Sequence, residues 1–113
     1  MRKINFVLVI FFVALPALAM ASEEVVKIQG RVMEVDLKNN VLVVNEKSFI
    51  LNQGTVIKTD RGAPLEVGKL KLNAWVYVEG VKDKASKRYN AGKVYLIPNY
   101  ISKKDRPLYP FIQ

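Results

Sequence analysis

Trp75 and Tyr77 alternate with Val76 and Val78, so the two rings project from one face of a strand and the two valines from the other. Four cations follow in a short polar stretch, Lys82, Lys84, Lys87 and Arg88. Tyr95, in a later strand-like run, can join the same aromatic face. Flat π-surfaces beside positive charge suit stacking and ionic recognition of a partner. The plainer reading is that the rings cover a second small core under another part of the chain, since aromatics are mostly buried. The residues alone leave both open.

Other chemistry is limited by what is missing. The chain has no His and no Cys, hence no imidazole base, no thiol nucleophile and no ordinary zinc or haem ligand set. Gly54, Gly62 and Gly68 are scattered, and Lys69 lacks phosphate-loop spacing. Glu34 and Asp36 share a side of a strand, yet nothing around them suggests the burial that tunes a catalytic carboxylate. Asp60 reads as a turn former. The chain is therefore read as a non-enzyme with no cofactor and no metal.

The elements that must position these residues begin after an export signal. Arg2 and Lys3 precede an apolar run from Ile4 to Leu15, Pro16 breaks it, and Ala17-Leu18-Ala19 and Ala19-Met20-Ala21 both fit a small-x-small cleavage site. Residues 1–21 are expected to be a signal peptide cut after Ala21; an uncleaved membrane anchor is the other reading. Without them 92 residues remain, enough for one thin core, and the net charge falls from +8 to +6. The expected location is periplasmic or secreted, which counts against nucleic acid as a partner. A membrane partner follows only if the signal segment is retained.

Val25–Asp36 alternates and then slips phase at Met33, which predicts a bulge or sharp bend that lets one strand serve two sheet faces. Residues 37–40 are a turn, Val41–Asn45 a short strand, Glu46-Lys47 a tight turn and Ser48–Asn52 the next strand. Val56–Lys58 continues weakly, 59–64 is a loop, and 65–72 forms a short helical turn at most. The strand at 74–81 is the longest clean one. Ala91–Ile97 closes the set, and Pro98 ends it. Several short strands on a small chain predict an all-β, closed barrel, because open edges would invite aggregation.

Gly30-Arg31-Val32, Val35-Asp36, Val41–Val44, Phe49-Ile50-Leu51, Thr55-Val56-Ile57, the run Leu70 to Gly80 and Val94–Ile97 follow one recurring order. That order resembles a family of small exported bacterial domains of unknown function, built as a five-stranded OB-like barrel. More loosely, it is similar to the periplasmic bacterial oligonucleotide-fold proteins. The resemblance spans residues 26–98. It implies an OB-like small barrel and an exported location, and it transfers no catalytic residue. The glycine usual before the long strand is Asn73 here, a residue that also tolerates a left-handed backbone.

Residues 22–98 are thus expected to form the barrel and 99–113 an extended C-terminal tail, with Tyr109, Phe111 and Ile112 making its end apolar. The tail either folds back along the barrel or docks on another chain. The function expected is that of an exported binding module whose partner is a protein or an anionic envelope component. The candidate contact residues are Trp75, Tyr77, Tyr95, Lys82, Lys84, Lys87, Arg88, Tyr109 and Phe111. The alternative is a structural subunit of an envelope or extracellular assembly connected through its tail.

Overall fold

The computed structural model describes residues 24–112; the expected signal peptide lies outside the described residues. Six strands form one sheet: β1 (Val25–Asp36), β2 (Val41–Val44), β3 (Lys47–Ile50), β4 (Val56–Thr59), β5 (Trp75–Lys82) and β6 (Tyr89–Ile97). Five of them close a ring in the order β1-β2-β3-β6-β5 and back to β1, sealed by a parallel pairing of β3 with β6. The fold is the expected all-β closed barrel. β4 stands outside the ring and pairs in parallel with β6.

β1 makes the closure possible. Residues 25–31 pair with β5, residues 32–36 pair with β2, and the register shifts between Val32 and Glu34. The phase slip at Met33 is that bulge. An extra residue bends the strand and raises its twist, so one strand can turn a barrel corner. Gly30 sits at the corner because a Cβ there would lie 2.9 Å from Val44 Cγ1 and 3.2 Å from Asn45 Cβ.

The β2–β3 hairpin turns one residue earlier than the sequence suggests. Its corner residues are Asn45 and Glu46, at φ 52° and 64°. Two successive positive φ values give the hairpin turn whose twist matches the flanking strands. Lys47 therefore starts β3, opposite Val44. Asn73 enters β5 at φ 70°, the left-handed conformation expected for the residue replacing glycine. Between β4 and β5 a single 3-10 turn, Val67–Lys69, brings Leu70 into the core.

The barrel interior is filled by Val32, Leu42, Val44, Phe49, Val76, Val78, Ala91 and Val94, with Tyr89 at its rim. A second cluster lies outside the ring: Tyr77, Ile97, Ile101 and Ile112, flanked by Trp75, Tyr95, Tyr109 and Phe111. It is roofed by the C-terminal segment. That segment is not extended throughout, since Lys103–Leu108 forms a 3-10 helix that folds the chain back over the sheet.

Candidate docking surface

Cross-strand registration lines up three rows on the outer face of β1, β5 and β6. They are Arg31–Trp75–Ile97, Gln29–Tyr77–Tyr95 and Lys27–Glu79–Lys93. Opposed residues in antiparallel strands touch, so each row is a contiguous strip. The first two strips are aromatic and aliphatic apart from Arg31 and Gln29 on β1; the third is charged.

The tail covers the aromatic strips. Phe111 stacks on Tyr95 with centroids 4.0 Å apart and planes 9° from parallel, and it also meets Tyr77 at 6.0 Å. Tyr109 abuts Phe111 edge-on, and Tyr100 meets Trp75 edge-on. Arg31, opposite Trp75 in the same strip, lies over its ring at 5.3 Å. Tyr77 is only 1% exposed, and its hydroxyl donates to Glu79 Oε2 at 2.6 Å. Offset and edge-to-face ring pairs contribute about 0.5–1.5 kcal/mol each beyond the area they bury. Five candidate contact residues, Trp75, Tyr77, Tyr95, Tyr109 and Phe111, thus come together, but in one intramolecular seam.

The four cations form a separate group at the β5–β6 hairpin. The tip is shaped by Ser86 Oγ donating to Asp83 Oδ2 at 2.9 Å and by Asp83 N donating to Arg88 O at 2.9 Å. Lys84, Lys87 and Arg88 are exposed there. Lys82 instead folds across the barrel mouth, with its ammonium 5.1 Å from the Tyr89 ring centroid. Lys47, from β3, approaches the same ring at 5.7 Å. Such cation–π contacts fix two flexible ammonium groups at the rim of a ring that is only 8% exposed. Lys47 escaped the sequence reading because its partner Tyr89 is 42 positions away and is brought near only by the β3–β6 closure.

Beside this hairpin lies a feature that no single stretch announces. An open groove of about 500 Å³ is floored by Gly80, Ala91 and Gly92 and walled by Val25, Val81 and Val56, with Lys93 and Glu79 also lining it. Its origin is a second bulge. Glu79 pairs with Lys93 and Gly80 with Ala91, so Gly92 is the extra residue. Val25 and Val56 remain 56% and 39% exposed at the rim. A glycine inside a strand is a signal for such a bulge; Gly92 lies inside the expected strand Ala91–Ile97, where no bulge was expected.

The carboxylates are surface structure. Asp36 accepts from the Asn39 backbone at 3.1 Å and from its side-chain amide at 2.9 Å. These bonds, the side-chain one foremost, hold its carboxyl below the usual value of 3.8, opposite to the raised value a general acid needs. Among the described residues no three acidic groups gather to hold a metal ion, and no helix is long and apolar enough to cross a membrane.

No family model matches the chain, and no curated protein matches it in sequence. Among solved structures, it is similar to the fimbrial biogenesis protein PilY2 of Pseudomonas aeruginosa PAO1. The two share 18% identity at a TM-score of 0.51, over 65% of this chain and 87% of that one. At this identity the likeness is one of fold.

Proposed function

We propose that the chain is an exported, non-enzymatic β-barrel module that binds a protein partner in an envelope assembly. The closed five-strand ring is taken as OB-like, a barrel type that commonly serves as a binding scaffold. The leader-like residues 1–21 support export, and the missing His and Cys support a non-catalytic role. The fold neighbour's title, a fimbrial biogenesis protein, supports an envelope setting. Fold alone does not carry function, so the reading rests mainly on one local observation. The apolar groove with exposed Val25 and Val56 lies beside an exposed basic hairpin and is left open by the tail.

The rival reading uses the tail as a connector to another subunit. The Phe111–Tyr95 stack disfavours it, because the tail's apolar end is already committed to its own barrel. Size-exclusion chromatography of a native envelope extract tests the reading. The exported chain should elute in a complex larger than itself, and elution at its own mass alone overturns the proposal.

A further inference from the structure

We infer that the groove at the Gly92 bulge takes an extended, acidic segment of the partner protein, seating one of its apolar side chains between Val25, Val56 and Val81. This rests on the reading of the chain as a partner-binding module and adds where and by what chemistry it binds.

Three observations point to this occupant. First, the groove is apolar at its centre, and its exposed rim valines lose solvent only if something fills it. Burying one Val or Leu side chain contributes about 1.5–3 kcal/mol. Second, the charge around it is positive in balance. Lys93 lines the groove, and the hairpin rising from its other end carries Lys84, Lys87 and Arg88 against one acid, Asp83. Glu79, the acid in the wall, stands between Lys27 and Lys93 in the ladder and accepts from Tyr77. A segment with carboxylates flanking an apolar side chain therefore meets complementary charge on either side, which favours acidic partners and repels basic ones. Third, the space is kept by glycine. A Cβ on Gly92 would touch only Glu79 O, at 3.7 Å, an ordinary contact. A larger side chain there can occupy the groove without forcing the backbone.

That last point supplies the test. A fluorescein-labelled ten-residue peptide alternating Glu and Leu is titrated into the purified protein and followed by anisotropy. Saturable binding that weakens with salt is expected. Gly92→Leu should weaken it by roughly tenfold or more at an unchanged urea midpoint, while Gly92→Ala binds as the parent does. Should Gly92→Leu unfold, Val56→Glu serves in its place, with the same loss expected. Reversing Lys84, Lys87 and Arg88 to Glu should also weaken binding and flatten its salt dependence.

Unchanged affinity in the groove-filling variants overturns the inference. So does equal binding of a Glu/Ser peptide, which would leave charge alone, or of a Lys/Leu peptide, which would leave greasiness alone. Groove-dependent binding to phosphatidylglycerol vesicles without peptide binding replaces the protein segment with a membrane. A doubled mass by light scattering that Gly92→Leu abolishes replaces it with a second copy. In the native extract, a larger complex that survives Gly92→Leu sinks the groove and spares the binding-module reading; no larger complex sinks both.

Discussion

The Gln29 carboxamide and the Ile101 backbone exchange two hydrogen bonds across 72 positions: Ile101 N donates to Oε1 at 2.7 Å, and Nε2 donates to Ile101 O at 3.1 Å. One side chain thus imitates the edge of a neighbouring strand and pins the start of the tail to β1. It also fixes where the aromatic end of the tail can reach. Gln29→Ala leaves both Ile101 backbone groups without these partners in a part-buried site. The expected loss is about 1–3 kcal/mol, read from urea unfolding, with altered Trp75 fluorescence as the tail loosens.

Phe111 closes the seam. Phe111→Ala removes the stack on Tyr95 and uncovers part of Tyr77. A loss of about 2–3 kcal/mol is expected for a partly buried ring. Phe111→Tyr should retain most of the stability. An unchanged unfolding midpoint in Phe111→Ala would show that the tail does not roof the barrel in solution.

Two glycines separate bulge from barrel wall. Gly80→Ala would place a Cβ 3.0 Å from the Asn90 carbonyl and 3.2 Å from the Phe49 ring, whereas Gly92→Ala meets nothing closer than 3.7 Å. The first should cost about 1–3 kcal/mol from overpacking, and the second well under 1. Equal thermal midpoints for the two variants would contradict this account of the sheet.

Asp36 supplies a pH dependence of known sign. Its folded pKa lies below 3.8 because Asn39 bonds the carboxylate. Its contribution is therefore fully present above that value and is lost as pH falls through the lowered one. Asp36→Ala should be less stable than the parent at neutral pH, with the difference closing in strongly acid buffer. A gap that widens with acid would contradict it.

Much of the barrel is legible in the sequence because strand alternation is local. β1 keeps its predicted bounds, and the Met33 slip marks its bulge. Asn73 keeps the left-handed turn. The β2–β3 turn is displaced by one residue because two positive φ values outweigh the polarity of Lys47. What is not legible is non-local. Whether Trp75 and Tyr77 face a partner or the chain itself depends on Gln29 and Ile101, 72 positions apart. The groove is assembled from Val25, Val56, Val81 and Gly92, which share no motif and meet only when β6 bulges.

In the proposed binding mode the aromatic face is sealed by its own tail while the groove meets the partner. Photo-cross-linking in the envelope tests both halves at once, with benzoylphenylalanine placed at Val56 on the groove rim or at Tyr109 in the seam. The account predicts an adduct with another protein from position 56 and none from position 109. An adduct from position 109 without one from position 56 would contradict it.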